Sequence, residues 1–313
     1  MRSRWLLTPG ISLLILCGAS LGALGQGRGT WAIRAPMPSA RTEVAAVEAG
    51  GKIYVIGGFG QNGDVVEEYD PATDRWRRRA ALPQPLHHVG AGTVGGRVYV
   101  VGGYDLRWSP VDTVYEYDPS LDSWRTRSSM PTARGALAVG VIGEKLAAVG
   151  GVGMNRRNTG ANEEYDPQRD RWVARVSMLT PRDHLAVGVV GGRLYAIGGR
   201  IDGSYARNLA VTEEYDPAAD RWRAVSAMPT PRSGIAAAAL GGRIFVFGGE
   251  SVAGTFNQTE AYDPAQDTWT TWAPMPTARH GLGAAIVGQS IYVLSGGPTP
   301  GGSYSSANEA FTP

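Results

Sequence analysis

A phrase of about fifty residues recurs along this 313-residue chain, and it constrains the fold more than any other feature of the sequence. The clearest copy runs from Gly191 to Trp222 and reads as strand, loop, strand, turn and strand, with no helical period. Every copy has two adjacent glycines directly after an apolar run. These pairs recur at intervals of 45 to 50 residues, at Gly57-Gly58, Gly102-Gly103, Gly150-Gly151, Gly198-Gly199, Gly248-Gly249 and Gly296-Gly297. Repetition at this period indicates a repeat architecture rather than several unrelated domains.

An aromatic residue, a tryptophan and an arginine follow each glycine pair. The aromatic residue is Tyr69, Tyr117, Tyr165, Tyr215, Tyr262 or Phe311. Seven residues after each tyrosine comes Trp76, Trp124, Trp172, Trp222 or Trp269. A methionine or leucine lies six residues after each tryptophan. Four residues further on is a position that we name the Arg slot, which holds Leu86, Arg134, Arg182, Arg232 or Arg279.

The last copy lacks its final strand, and the missing piece lies at the other end of the chain. Phe311 is two residues from the last residue, so no tryptophan can follow it. Trp31, Met37 and Arg41 stand before the first complete copy at the repeat's own spacing. We therefore expect the N-terminal segment to supply the last strand of the sixth unit. That arrangement joins the two ends of a ring and leaves no open sheet edge.

Six units of four strand-like segments predict an all-β fold, namely a six-bladed β-propeller of four-stranded blades, closed by an N-terminal strand that completes the last blade. The glycine pair, the tyrosine and the tryptophan at these spacings resemble the kelch repeat, over roughly residues 30 to 313. The resemblance implies a kelch β-propeller that forms a single domain over residues 26–313. Leu86 in the Arg slot and Phe311 in the tyrosine position depart from the pattern but keep a plausible local role.

Residues 1–25 lie outside the repeat and have the pattern of a secretory signal peptide. Arg2 and Arg4 form a basic start, Ile11 to Cys17 is an apolar run, and Ala23 to Gly25 offers small residues for cleavage. The alternative, a retained membrane anchor, is disfavoured because the apolar core is short. We therefore expect an extracytoplasmic protein, either secreted or periplasmic.

Charge and cysteine content narrow the classes of partner. The chain has 30 Lys and Arg against 28 Asp and Glu, and removal of Arg2 and Arg4 would balance the two. A balanced charge does not attract nucleic acid or anionic lipid, so neither is expected as a partner once the signal peptide is cleaved. Cys17 is the one cysteine and would leave with the signal, so no disulfide is expected in a core of this size. We expect a monomer without a cofactor.

Residues that recur in every copy are expected to build the scaffold. A tryptophan at the same position of each repeat is typical of packing between blades. The paired acids Glu67-Glu68, Glu163-Glu164 and Glu213-Glu214 are expected to form salt bridges or caps. We expect the arginines of the Arg slot to join neighbouring blades through bidentate hydrogen bonds.

Function is expected where the copies differ at one mouth of the central channel. Topology brings the residues after the Arg slot and those after the glycine pair to the same face, and it places the innermost strand at the axis. The two residues after the Arg slot are Thr42-Glu43, His87-His88, Gly135-Ala136, Asp183-His184, Ser233-Gly234 and His280-Gly281. The chain has four histidines, and all four fall in this window.

The predicted ligand-binding residues come from these two positions of the repeat. They are Glu43, His87, His88, Tyr104, Asp105, Asp183, His184, Arg200, Glu250 and His280. Phe59, Val152 and Pro298 share the position after the glycine pair. Trp108 and Tyr205 lie in loops above the mouth, where they could stack on a sugar ring or a peptide side chain.

Three functions fit this set of residues. The favoured one is a binding module that recognises a protein, peptide or glycan, because kelch-like propellers are mostly interaction modules and a fold does not determine an activity. The alternative is an enzyme: imidazoles and carboxylates could move protons in sugar epimerisation or mutarotation, in an exported kelch protein that resembles sialic acid mutarotases. No catalytic residue is assigned. A metal such as zinc, bound by the histidines with Glu43 or Asp183, is the third option, but no compact ligand spacing supports it.

Overall fold

The computed structural model describes Met1, residues 28–60 and residues 62–313. Six four-stranded antiparallel sheets in these residues form the blades of a propeller. We number the blades 1 to 6 and letter the strands a to d from the axis outward. The predicted signal peptide lies outside the described residues apart from Met1, and it remains a prediction.

The strands of each blade are short and follow one another in chain order. In order a to d, blade 1 is Ala45–Ala49, Lys52–Ile56, Val66–Asp70 and Arg75–Arg78, and blade 2 is Gly90–Val94, Arg97–Val101, Val114–Asp118 and Ser123–Arg127. Blade 3 is Ala138–Ile142, Lys145–Val149, Asn162–Asp166 and Arg171–Arg175, and blade 4 is Ala186–Val190, Arg193–Ile197, Thr212–Asp216 and Arg221–Val225. Blade 5 is Ala236–Leu240, Arg243–Phe247, Thr259–Asp263 and Thr268–Thr271, and blade 6 is Gly283–Val287, Ser290–Leu294, Asn308–Thr312 and Thr30–Ile33.

Smaller elements lie in the loops between strands b and c and just before strand a of blade 3. Arg134–Gly135 pairs with Val152–Gly153, and Glu250–Ser251 pairs with Gly254–Thr255. Tyr205–Arg207 is a single 3₁₀ turn. In the described residues no helix has the length and apolar character needed to cross a membrane.

The N-terminal strand closes the ring, as predicted. Thr30–Ile33 pairs antiparallel with Asn308–Thr312, and Trp31 lies opposite Phe311 with ring centroids 4.9 Å apart. Blade 6 also shows why Phe311 can replace the repeat's tyrosine. In the other blades the tyrosine hydroxyl donates to an aspartate in the turn between strands c and d, at 2.5–2.7 Å. Blade 6 has no such turn, because its strand d comes from the other end of the chain.

The apolar core lies between the blades. Each buried cluster combines strands of neighbouring blades, such as Ile56 and Val66 of blade 1 with Val98 and Tyr117 of blade 2. The repeat's tryptophans complete these interfaces, as predicted. Each indole N–H donates to a carbonyl of the preceding blade at 2.8–2.9 Å, through Trp31, Trp76, Trp124, Trp172, Trp222 and Trp269.

The Arg slot does not join blades through its side chains, so that prediction is wrong. Arg182 is fully buried and donates to Glu213 at 3.0 Å and to the carbonyl of Ala196 at 2.9 Å, both within blade 4. The main chain makes the link between blades instead, because the carbonyl of Arg182 accepts from Gly151 of blade 3 at 2.9 Å. The first acid of each pair therefore binds the Arg slot of its own blade, as Glu67, Glu163 and Glu213 do.

Blade 2 replaces the buried ion pair with an apolar one. Leu86 occupies the Arg slot, and Tyr115 occupies the position of the acid that would bind an arginine. Both side chains are buried in the same cluster. Removing one ion alone would leave the other buried and unpaired, at a cost of about 3–5 kcal/mol, so the two replacements must occur together.

In blade 6 the two residues that are structurally equivalent to the glycine pair of the other blades begin one residue before Gly296-Gly297. Ser295 and Gly296 have positive φ values of 64° and 100°, which match the φ values of Gly57 and Gly58 in blade 1. The equivalent pair is therefore Ser295-Gly296, and the mouth position belongs to Gly297 rather than to Pro298. A Cβ on Gly297 would lie 2.5 Å from the His280 ring, so this position has to be a glycine.

The channel mouth as a candidate ligand-binding site

Six residues form a closed circle of main-chain hydrogen bonds around the propeller axis. They occupy the second position after the Arg slot and are Glu43, His88, Ala136, His184, Gly234 and Gly281. Each N–H donates to the carbonyl of the member in the preceding blade, and Glu43 closes the circle by donating to Gly281. The six N···O distances are 2.7–3.1 Å. We name these six residues the axial ring.

All members of the axial ring have a left-handed backbone conformation, with φ between 50° and 64°. Glycine adopts this conformation freely, whereas another residue is destabilised by about 1–2 kcal/mol. Gly234 and Gly281 avoid that cost, but Glu43, His88 and His184 do not. Gly281 also leaves room for the Glu43 side chain, because a Cβ on Gly281 would lie 2.7 Å from a carboxylate oxygen of Glu43. Three residues with chemically versatile side chains therefore keep a strained backbone conformation, which points to a functional site.

A second layer of residues lies directly outside the axial ring. In every blade the residue after the Arg slot pairs with the residue after the glycine pair. The pairs are Thr42 with Phe59, His87 with Tyr104, Gly135 with Val152, Asp183 with Arg200, Ser233 with Glu250, and His280 with Gly297. These pairs and the long b–c loops meet at one face, which we name the channel mouth.

A cavity of about 510 Å³ opens at the channel mouth. Among the residues singled out from the sequence, its lining includes Glu43, His88, Tyr104, Asp183, His184, Arg200, Glu250 and His280. Phe59, Trp108 and Tyr205 supply aromatic walls. The volume falls in the range of small-molecule sites, and the polar groups converge on its floor.

His87 and Asp105 support the cavity without lining it. The His87 ring is fully buried and stacks on Phe59, with ring centroids 3.9 Å apart. The Asp105 carboxylate accepts the N–H groups of Arg107 at 2.9 Å and Ser109 at 2.8 Å, so it shapes its own loop.

Comparison with known proteins agrees with the blade pattern. A Kelch motif model matches residues 40–83 and 85–131, and a KLHDC2/KLHL20/DRC7 Kelch-repeats domain model matches residues 174–309. The chain belongs to the kelch-repeat family. A kelch propeller supports a role as an interaction module, and such propellers generally bind protein partners.

Among solved structures, one titled "Structure of YjhT" is similar to this kelch chain, with a TM-score of 0.78. The match covers 88% of this chain and 96% of that chain at 16% sequence identity. At this identity the likeness shows the fold alone. No curated protein sequence matches the chain.

Arg200 is the central cation of the floor of this kelch propeller. Its guanidinium donates to Glu250 at 2.7 Å and to Nε2 of His184 at 2.8 Å, and its Nε lies 3.4 Å from the Asp183 carboxylate. Because His184 accepts at Nε2, its proton is on Nδ1, which donates to Asp183. Burial acts to raise the pKa of Asp183, but the hydrogen bond from His184 and the charge of Arg200 lower that pKa overall.

A chain of ring nitrogens leads from blade 2 to Glu43. Nε2 of His87 faces the main-chain oxygen of Asp105 at 3.0 Å, so it must carry a proton. Nδ1 of a neutral His87 then accepts from Nδ1 of His88, 2.6 Å away. Nε2 of His88 is left as a bare lone pair, 3.3 Å from a carboxylate oxygen of Glu43.

That arrangement places two proton acceptors, Nε2 of His88 and a carboxylate oxygen of Glu43, opposite each other at 3.3 Å. A proton taken up from a ligand would be held by both atoms. Burial lowers the pKa of His88 well below its ordinary value, which opposes a second proton on the imidazole itself. The pair can therefore accept a proton from the cavity and return it.

Both ring nitrogens of His280 face main-chain carbonyls. Its Nδ1 faces the carbonyl of Gly297 at 3.1 Å, and its Nε2 faces the carbonyl of Gly301 at 3.0 Å. Carbonyls only accept, so a protonated ring nitrogen donates to its carbonyl. The carboxylates of Glu43 and Glu250 lie 3.7 and 3.5 Å from Nε2.

Two groups of side chains could hold a metal ion on distance alone. They are Glu43 with His88 and His184, and Glu43 with Glu250 and His280, each with ligand atoms within 4.8 Å of one another. The histidine lone pairs are nevertheless mostly engaged, because Arg200 donates to His184 and both nitrogens of His280 face carbonyls. A guanidinium beside the first group also repels a cation. The geometry therefore favours proton-carrying and hydrogen-bonding chemistry at the floor.

Sequence reasoning missed the residues that the long loops contribute. Arg156 and Asp202 line the cavity from the b–c loops of blades 3 and 4. Asn158 donates to Asp183 at 2.5 Å and accepts the N–H of Asp202 at 2.6 Å, so it joins these two loops. These loops vary in length between copies, so no repeat spacing identifies the residues. The left-handed φ of Arg156, 59°, is likewise visible only in the structure.

The buried histidines predict how stability depends on pH. Burial lowers the pKa of His87 from 6.5 to about 4. The unfolded chain then binds more protons than the folded one between pH 6.5 and 4, so the free energy of unfolding should fall as the pH falls through this window. Each such histidine contributes a slope of up to about 1.4 kcal/mol per pH unit. Urea unfolding at several pH values measures this slope.

His87→Gln provides the control for that measurement. The variant should be less stable at pH 7.5 but should show a shallower slope between pH 6.5 and 4. Carboxyl groups with a lowered pKa, such as Asp74, also make the free energy of unfolding fall below about pH 5, so the part of the slope above that pH reports the histidines. Stability that rises as the pH falls from 6.5 to 4 would contradict the burial of neutral imidazoles.

Proposed function

We propose that the channel mouth of this kelch propeller binds a saccharide. The observation that carries the proposal is the floor of the cavity, where the carboxylates of Glu43, Asp183 and Glu250 alternate with Arg200 and His280 beneath aromatic walls. Carboxylates accept from sugar hydroxyls, and a guanidinium or an imidazole N–H donates to them. Aromatic faces pack against the C–H faces of a sugar ring.

The shape of the site supports a glycan over a protein or peptide surface. A protein interface uses a broad patch with few charged residues at its centre, whereas the centre of this site is a recessed, charged cavity. A peptide would have to satisfy its own amides and carbonyls, and the floor offers mostly groups that are already paired with one another. A hydroxyl can join such pairs, because it both donates and accepts.

We also propose that the protein is exported, that its N-terminal signal is removed and that it works as a monomer outside the cytoplasm. Support comes from the signal-like pattern of residues 1–25 and from the balanced charge of the remainder. A saccharide ligand is consistent with that location.

A glycan array probed with the mature protein tests the binding function. The probes are mono- to tetrasaccharides that include neutral, N-acetylated and acidic sugars, with a peptide array in parallel. Glu43→Gln should weaken binding to the sugars that the wild type selects by roughly 10-fold or more, because a charged hydrogen bond contributes about 1.5–3 kcal/mol. Its melting temperature should stay within a few degrees of the wild type.

Glu144→Gln is the matched control, since Glu144 is exposed in the a–b turn of blade 3, remote from the channel mouth. It should bind like the wild type. Binding of peptides and of no sugar would refute the proposal.

The contact between Glu43 and His88 favours a second candidate, sugar mutarotation. One group would give a proton to the ring oxygen while another accepts the proton of the anomeric hydroxyl, and the bond between the ring oxygen and the anomeric carbon would break. The bond then forms again on the other face of the anomeric carbon, with both protons returned, so no oxidant or other reactant is needed. The pair at 3.3 Å can accept the proton of the anomeric hydroxyl.

NMR exchange between the two anomers of a sugar that binds tests this candidate. The protein should raise the exchange rate in proportion to its concentration, and Glu43→Gln should remove most of the increase. Binding with an unchanged exchange rate would leave a binding module and reject the enzyme.

A further inference from the structure

Three cavities meet at the channel mouth, and Trp108 is the residue that lines all of them. The central cavity, of about 510 Å³, has the charged floor described above. A second cavity, of about 440 Å³, lies toward blade 3 between Trp108, Met154 and Arg156. A third, of about 510 Å³, lies toward blade 6 between Trp108, Phe59 and Tyr304. Each volume alone is within the range of a small-molecule site.

The loop of blade 2 holds Trp108 in an unusual conformation. Its φ is 62°, which a bulky residue rarely adopts. The main-chain oxygen of Asp105 accepts the N–H of Trp108 at 3.0 Å, and the Asp105 carboxylate binds the residues on either side. The indole also contacts Phe59 and His87, with ring centroids 5.2 and 4.7 Å apart.

Trp108 is nevertheless 56% exposed. A fixed, exposed tryptophan in a strained conformation contributes little to the core and leaves an aromatic face free for a ligand. Tyr304 is similarly exposed across the third cavity, where it lies against Gly60. A Cβ on Gly60 would lie 2.4 Å from the carbonyl oxygen of Ala40 and 3.2 Å from the Tyr304 ring, so this position has to be a glycine.

The chemistry of the two outer cavities differs from that of the centre. Among the described residues, those that line the third cavity are Phe59, Trp108 and Tyr304 with two glycines, and none of them is charged. Such walls suit the C–H face of a sugar whose hydroxyls remain in water. The second cavity adds the guanidinium groups of Arg107 and Arg156 to the aromatic rings of Tyr104 and Trp108. A peptide in the third cavity would find few partners for its amides.

We propose that the ligand is an oligosaccharide of at least three units. One unit occupies the central cavity, and its neighbours lie in the two outer cavities on either side of the Trp108 indole. This inference rests on the proposed saccharide function and adds to it the length of the ligand and the residue that divides its subsites.

Affinity as a function of chain length tests the inference. The probes are mono-, di-, tri- and tetrasaccharides of β1,4-linked glucose, β1,4-linked N-acetylglucosamine and α1,4-linked galacturonic acid. In the series that binds, affinity should rise with each unit up to three and then level off. Tyr304→Ala, which changes the third cavity alone, should weaken the trisaccharide by roughly 10-fold and leave the monosaccharide unchanged.

Met154→Ala should act in the same way through the second cavity. Val252→Ala is the matched control, because Val252 is an equally exposed apolar side chain on a loop of this face that lines none of the three cavities. It should bind all lengths like the wild type.

The outcomes separate the inference from the proposed function. Equal affinity for one and three units, with no effect of Tyr304→Ala, would overturn the inference and leave saccharide binding intact. No binding of any saccharide in the three series, with binding to a parallel peptide array, would overturn both. A gain with length that Tyr304→Ala removes would support both.

Discussion

The closed circle of six main-chain hydrogen bonds at the axis is the constraint on which the rest of the structure depends. Each member of the axial ring must turn its N–H toward one neighbour and its carbonyl toward the other, and it does so in a left-handed conformation. The circle closes only if the sixth blade is complete, which requires the N-terminal strand to pair beside Phe311. The same circle brings one residue from each blade to the mouth of the channel. Closure and site are therefore consequences of one geometry.

Residues of the axial ring differ between blades, whereas the outer parts of the blades that stabilise the fold are nearly the same. Glycine is the residue that this conformation favours, and blades 5 and 6 have it. Blades 1, 2 and 4 instead place Glu43, His88 and His184 there, around Arg200 and Glu250. The outer parts of the blades, with their buried arginine–glutamate pairs and tryptophan N–H bonds, repeat with little change. A uniform periphery can hold a strained and irregular centre.

The sequence predicts the architecture well because repetition shows each constraint several times. Spacing alone identified the blades, the strand from Trp31 and the window that contains every histidine. It could not show that Asp105 braces the Trp108 loop, because that role depends on hydrogen bonds within one loop. It misplaced the glycine pair of blade 6, because Ser295 adopts a conformation that its side chain does not favour. It also gave the Arg slot the wrong partner, since spacing does not tell whether a buried arginine reaches its own blade or the next.

The most direct test of this account compares Glu43→Gly with Ala136→Gly, two members of the axial ring with φ of 54°. The free energy of unfolding and the saccharide affinity would be measured for both. Ala136→Gly should be more stable than the wild type by about 1 kcal/mol and bind normally. Glu43→Gly should be no less stable than the wild type yet lose binding, because its side chain is kept for the ligand. A Glu43→Gly protein that binds normally, or one that loses several kcal/mol of stability, would contradict this account.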